Sequence, residues 1–268
     1  MFQGIWIEGM WMFPLLGIVA GILAGLLGVG GGLVLVAALA FLLPRFGVPP
    51  EAAMHAALAS SLASIILTAA SSAWAHHGRG SVLWPTVAWM VPGLLLGGWL
   101  GSGLAVKLDG EVLRWAVAIY CLVAAAQLLF GGPRAHGASE AAPLGMPMSV
   151  AGAGIGALSA VIGIGGGSMT VPLLVWRGVV PVRAVGTSSA CGVAIGLASA
   201  TGYALQAPAG ALPDLAIGYV YLPAAIGVAV ASVLAAPYGM RLAHRLSGAA
   251  LKRIFALFLV GVALSLVV

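Results

Sequence analysis

The chain has 268 residues, of which 62% are hydrophobic and only 6% are charged. Soluble domains carry about 25% charged residues, so this composition excludes a water-soluble fold. The 11 basic residues outnumber the 6 acidic ones, but they are scattered along predicted loops, which indicates membrane orientation rather than nucleic-acid binding. The sequence therefore predicts an all-α polytopic membrane protein.

Eight apolar runs are long enough to cross a bilayer, which takes about 20 helical residues. In chain order they are 9–44, 52–78, 80–106, 115–133, 141–176, 184–213, 215–240 and 247–268. If all eight cross, nine basic residues lie on one side and two on the other. The positive-inside rule then makes the first side cytoplasmic and places both termini outside.

The first and fifth runs are interrupted by glycine clusters, at 28–32 and at 163–167. Each run has 36 residues, which as straight helix would be about 54 Å, well over the bilayer core of about 30 Å. Each interior glycine costs a helix about 1 kcal/mol relative to alanine, so a break is expected there. It is either a broken crossing helix or a re-entrant hairpin. With hairpins, six segments cross and the basic residues divide eight against three, which the charge rule favours slightly less.

The sequence pattern recurs in two halves. The glycine clusters lie 135 residues apart, and Ala59-Ser-Ser-Leu62 is echoed by Gly186-Thr-Ser-Ser189. We therefore predict two four-helix repeats with glycine-broken first helices, at 1–133 and 148–268, joined by an outer linker at 134–147. An even number of crossings would repeat in parallel and an odd number would invert the unit. Paired halves with broken helices are typical of transporters whose site lies at the repeat interface.

The two glycine clusters, each followed by a small-residue segment with Ala-Ser-Ser or Gly-Thr-Ser-Ser, resemble those of the TauE/SafE family of sulfite and organosulfonate exporters. The likeness covers nearly the whole chain. It implies an eight-span anion permease of the bacterial inner membrane that moves sulfite, sulfoacetate or a related organosulfonate. Export is the expected direction, because a negative cell interior favours anion exit by about 2.3 kcal/mol per charge per 100 mV.

Candidate binding groups come from the glycine clusters and from nearby hydroxyls. Unwound glycine backbone frees amide N–H groups where the helix dipole favours an anion, although close helix packing is the alternative. Hydroxyls donate without carrying a charge, but they also bond within membrane helices. A histidine near a membrane end either assists anion entry or pairs with interfacial water. The predicted substrate-binding residues are Gly30, Gly31, Gly32, His55, Ser60, Ser61, Gly165, Gly166, Gly167, Thr187, Ser188 and Ser189.

Two further hydroxyls, Ser168 and Thr170, are weaker candidates because leucines stand at the matching positions of the first half, Leu33 and Leu35. This asymmetry suggests that one half contacts the ligand more than the other.

No Asp, Glu, Lys or Arg falls in the middle of any run, which argues against a carboxylate proton relay and a tight cation site. Metal-binding motifs, Ser–His pairs and carboxylate pairs at membrane depth are missing from the sequence, so we predict no enzyme, metal or cofactor. The expected partners are the anion and the lipid bilayer, without nucleic acid, and a homodimer is one oligomeric state to test. The alternatives are a permease for another small anion or for a cation or metal, and a non-transporting membrane subunit.

Overall fold

The computed structural model describes residues 9–27, 31–130, 142–243 and 248–267. Within them the chain forms ten α-helices: α1 (Met12–Leu27), α2 (Gly32–Leu42), α3 (Pro50–His77), α4 (Trp84–Ala105), α5 (Gly110–Phe130), α6 (Met146–Ile162), α7 (Gly167–Trp176), α8 (Pro181–Leu205), α9 (Leu222–Ala243) and α10 (Gly248–Val267). A 3-10 turn, Leu43–Phe46, follows α2. A short antiparallel ribbon of β1 (Ala216–Ile217) and β2 (Val220–Tyr221) precedes α9.

Four of these helices, α3, α4, α5 and α8, are long and apolar enough to cross a membrane by length and composition. In contrast, α2 has 11 residues and α7 has 10. At 1.5 Å per residue they reach only about half of the bilayer core, which is about 30 Å thick. The all-α polytopic class is confirmed, whereas the count of eight crossings is not.

The break between α6 and α7 depends on glycine backbone geometry. Gly163 ends α6 with φ 79°, and Gly166 precedes α7 with φ 72°. Residues with a Cβ avoid this left-handed region, which costs them about 1–2 kcal/mol each. The N–H groups of Gly163 and Ile164 both donate to the Ser159 carbonyl, at 2.8 and 3.2 Å, and so close the last turn of α6. The predicted break therefore lies where the glycine cluster places it.

After the first glycine segment, residues 28–32, the chain turns back on itself. A Cβ on Gly31 would lie 2.7 Å from the carbonyl oxygen of Ala20, in the middle of α1. At the other end, a surface groove is lined both by Trp11 and Leu15, from the start of the α1 segment, and by Phe41 and Arg45, from the end of the α2 segment. The two half-helices are therefore antiparallel and form a hairpin.

The chain also turns back after the second glycine segment, residues 163–167. Near the end of α7, Leu174 belongs to a small apolar cluster against which Ala142, four residues before α6, also packs. The end of α7 thus returns to the level at which α6 begins. These contacts favour the re-entrant alternative in both halves, with three further helices after each hairpin.

The two halves run in opposite directions. The third helix of the first half, α3, and its counterpart α8 are antiparallel neighbours. The Ser72 and Ser189 hydroxyls are 2.9 Å apart, and a Cβ on Gly196 would lie 3.0 Å from the Leu62 carbonyl oxygen. Antiparallel counterparts correspond to an inverted repeat about an axis in the membrane plane. The division into repeats at 1–133 and 148–268 stays a prediction, which this arrangement supports.

Each hairpin packs against a helix of the other half through glycines spaced four residues apart. A Cβ on Gly93, Gly97 or Gly101 of α4 would overlap the backbone of α6. In the same way, a Cβ on Gly17 or Gly21 of α1 would overlap the backbone of α9. Such small-residue faces let membrane helices approach closely. The contacts join α4 to the second hairpin and α9 to the first.

Candidate functional site

The two glycine segments meet beside the middle of α3. A Cβ on Gly32 would lie 2.9 Å from the carbonyl oxygen of Gly163. The buried Ser61 hydroxyl bonds to both segments, with its Oγ 3.0 Å from the Gly163 carbonyl and 3.3 Å from the Gly32 carbonyl. Ser61 lies about 17 Å along α3 from its first residue. One hydroxyl thus joins the breaks of both halves at mid-depth.

Ser60 and Thr187, both predicted to bind substrate, accept matching hydrogen bonds from backbone. The Tyr221 N–H donates to Ser60 Oγ at 3.0 Å, and the Leu83 N–H donates to Thr187 Oγ1 at 3.0 Å. Tyr221 directly precedes α9 and Leu83 directly precedes α4. Each hydroxyl therefore fixes the entry of a helix from the opposite half, and the symmetry of the two bonds matches the predicted equivalence of the two segments.

His55 and Ser189 lie away from the meeting point. The buried His55 ring places Nε2 2.9 Å from the Leu108 carbonyl oxygen and stacks on Tyr219 at 4.9 Å between ring centroids. Ser189 contacts the Ser72 hydroxyl and donates to the Val185 carbonyl at 3.0 Å. The structure does not bring these two predicted residues together with the glycine segments.

The glycines themselves serve close packing in both segments. Gly30 lies outside the described residues, Gly31 abuts Ala20, and Gly32 abuts Gly163. A Cβ on Gly165 would lie 2.8 Å from the Ile65 side chain, and one on Gly166 would overlap Ile195. The packing interpretation is therefore supported for Gly31, Gly32, Gly165 and Gly166.

Free backbone donors gather at the start of α7. The N–H groups of Met169 and Thr170 already bond to the Gly166 carbonyl, at 3.1 and 2.8 Å. Within the described ranges, the four amides from Gly165 to Ser168 make no hydrogen bond. The hydroxyl of Ser168, by contrast, is paired with the Tyr120 hydroxyl of α5. This helix start carries the positive end of the dipole, which favours an anion.

Three buried hydroxyls on α6, α7 and α8 have no hydrogen-bond partner among the residues that the structure describes: Ser159, Thr170 and Ser188. Ser159 Oγ lies 3.5 Å from the Cβ position of Gly166. Sequence reasoning singled out Ser188, ranked Thr170 lower and missed Ser159. The one available signal for Ser159 was its position one helical turn before the glycine cluster.

Thr170 and Ser188 lie at the same level of two facing helices. Four residues beyond Thr170, Leu174 packs in one cluster with Ala184, which lies four residues before Ser188. On the other side, a Cβ on Gly192 would lie 3.0 Å from the Gly165 carbonyl oxygen. Residues four apart share a helix face, so Thr170 and Ser188 lie on the facing sides of α7 and α8. Along these helices the two hydroxyls lie between the Leu174–Ala184 contact and the Gly192–Gly165 contact.

A metal site is not formed by the part of the chain described here, which contains no group of three or more His, Cys, Asp or Glu residues able to hold an ion. Both cysteines, Cys121 and Cys191, are free and buried. The chemistry available beside the glycine segments is hydrogen bonding by neutral donors.

A family model described as sulfite exporter TauE/SafE matches residues 13–266. The chain belongs to the TauE/SafE family. It is 33% identical over 255 residues to a probable membrane transporter protein of Haemophilus influenzae, covering 94% of this chain and 96% of that protein. Probable membrane transporter proteins of Xylella fastidiosa and Methanocaldococcus jannaschii are 30% and 25% identical, covering 91% and 90% of this chain and 89% and 90% of theirs. No solved structure matches.

TauE/SafE membership confirms the resemblance read from the glycine clusters and places the chain among multi-pass membrane transporters. The residues that bind the transported molecule stay a prediction, because the relatives' names identify no site. Within this TauE/SafE chain the strongest geometric candidate is the second glycine segment, where amides and hydroxyls without partners among the described residues occur together.

Proposed function

We propose that this TauE/SafE protein is a secondary transporter that exports a small sulfur-containing anion, such as sulfite, sulfoacetate or a related organosulfonate, across the bacterial inner membrane. The observation that carries the proposal is the meeting of two glycine segments beside the middle of α3, with amides at the start of α7 that have no hydrogen-bond partner in the described ranges. Discontinuous helices whose starts point at an anionic group are a common design of transporter sites.

Neutral donors suit transport as well as binding. An anion held by amides and hydroxyls is attracted without a cationic side chain that would have to be desolvated between transport cycles. All site groups come from one chain, so this mechanism does not require a homodimer. The family resemblance, and not the geometry, supplies the sulfur-containing substrate.

The way the halves pack against each other supports an alternating-access mechanism. Ser159, Thr170 and Ser188 are buried in this conformation, whereas Gly165, Gly167 and Ser168 are partly exposed. The second hairpin packs on α4 and the first on α9, while α3 and α8 lie between them. We propose that the hairpin-helix pairs rock against the central α3 and α8 and open the site to one side at a time.

The hairpin fold also defines the proposed orientation. With α3, α4, α5, α8, α9 and α10 crossing, eight basic residues lie on the side where α3 ends, and Arg45, Lys107 and Arg114 lie on the other. The positive-inside rule makes the first side cytoplasmic. Both termini are then outside, as they are in the eight-crossing alternative.

Flux into liposomes tests the proposal. We expect purified protein to give saturable flux of sulfite or sulfoacetate and none of a divalent cation, because the proposed site offers donors and no carboxylate. Protein-free liposomes are the control. Saturable cation flux, or no flux of either sulfur-containing anion, would contradict the proposed function.

A further inference from the structure

We infer that the anion is held by the second half alone, in a cradle formed by the amides of residues 165–168 and the hydroxyls of Ser159, Thr170 and Ser188, and that this cradle selects an oxyanion group with one charge, such as a sulfonate, over a doubly charged group such as sulfate. The inference deepens the proposed function and rests on it. Two independent observations support it. In the described part of the chain, the N–H groups at the start of α7 have no hydrogen-bond partner, and neither do three buried hydroxyls.

The hydroxyls point to a ligand because burial without a partner is costly. Leaving a buried hydroxyl unpaired costs about 1–3 kcal/mol, so most are satisfied. Ser159 and Thr170 are 0% exposed and Ser188 is 3% exposed. A bound oxyanion would accept from these hydroxyls and from the amides at the start of α7, which has 10 residues.

Among the described residues, the first half has no equivalent set of unpaired hydroxyls. The hydroxyl of Ser61, the counterpart of Ser188, donates to the Gly32 and Gly163 carbonyl oxygens. Leu35 stands where the second half has Thr170. In this proposal the second half binds the anion, while the Ser61 hydroxyl of the first half holds the two glycine segments together.

The composition of the cradle limits the charge of its ligand. Its donors are neutral, and its walls include the side chains of Ile155 and Ile195, which lie within contact distance of a Cβ on Gly166. The Born cost of removing an ion from water rises with the square of its charge. A compact group with two charges, such as sulfate, therefore loses about four times the hydration energy of a group with one charge, while the energy gained from fixed neutral dipoles only doubles. We expect sulfonates to bind and sulfate to be rejected.

Binding to the purified full-length protein in detergent tests the inference, with intrinsic tryptophan fluorescence or thermal stabilisation as the readout and methanesulfonate and sulfate as probes. Thr170→Val and Ser188→Ala should each weaken methanesulfonate binding about 10-fold or more, the usual range for a hydrogen bond to a charged group. Thr170→Ser should retain binding. Ser199→Ala is the matched control, because this hydroxyl is also buried and unpaired among the described residues but lies beside Gly98 of α4.

Stability separates a binding role from a structural one. Removing an unpaired hydroxyl should leave the unliganded unfolding midpoint unchanged or raised, so a clear fall in Thr170→Val and Ser188→Ala would overturn the inference. Unaltered methanesulfonate binding in both variants, or sulfate binding as tight as methanesulfonate binding in the wild type, would also overturn it. If the wild type binds and transports no sulfur-containing anion, the proposed function itself fails.

Discussion

Replacing Gly97 with valine should destabilise the protein by about 3 kcal/mol or more, at the upper end of the range for overpacking. Gly97 lies on the face of α4 that packs on α6, and a Cβ there would overlap the Ala153 carbonyl oxygen. Backbone cannot move aside as a side chain can, so the two helices must separate. Thermal unfolding in detergent should show the midpoint falling by roughly 6 °C or more.

The matched control is Gly154→Val on α6 itself. Gly154 is exposed, and a Cβ there would meet nothing within 4 Å. The same change of residue therefore adds no overlap, and we expect a midpoint close to that of the wild type. Equal midpoints for the two variants would show that α4 and α6 do not approach as closely as described.

Replacing Gly166 with alanine should abolish transport or reduce it at least about 10-fold, a change in binding of about 1.4 kcal/mol. The residue has φ 72°, and an added Cβ would overlap the Ile195 side chain. The left-handed conformation costs alanine about 1–2 kcal/mol, and relief of the overlap requires the segment to shift. Both effects move the amides that start α7 from their positions.

Gly210→Ala is the control that tests the cost of the left-handed backbone conformation without any side-chain overlap. Gly210 has φ 73°, is exposed, and has nothing within 4 Å of its Cβ position. We expect a small loss of stability and normal flux. Flux and unfolding midpoints should be measured on both variants in parallel. Normal flux in Gly166→Ala would contradict the proposed place of the glycine segment in transport.

Much of the fold follows from local composition, whereas the direction of the half-helices does not. Glycine runs predict where a long apolar segment breaks, because the cost of glycine in a helix is local. Whether the chain then continues or turns back depends on a contact such as that of Gly31 with Ala20. The charge rule favours the eight-crossing alternative. The preference is slight, because the basic residues divide nine against two in that topology and eight against three with hairpins.

The candidate site shows the same division. Residue types predict that glycine amides and hydroxyls carry the chemistry, but not which hydroxyls the fold already uses. Ser60 bonds to Tyr221, 161 positions away, and Thr187 bonds to Leu83, 104 positions away. Only the packed structure shows that Ser61 is committed to carbonyls while Ser188, its equivalent, has no partner among the described residues.

The central claim is that both glycine segments form re-entrant hairpins, and cysteine accessibility in intact cells tests it most directly. Arg79 and Lys107 are exposed and lie at opposite ends of α4. With Cys121 and Cys191 replaced by alanine, we predict that Lys107→Cys reacts with an impermeant thiol reagent from outside and that Arg79→Cys reacts only after permeabilisation. The reverse pattern would contradict the hairpins and support eight crossings.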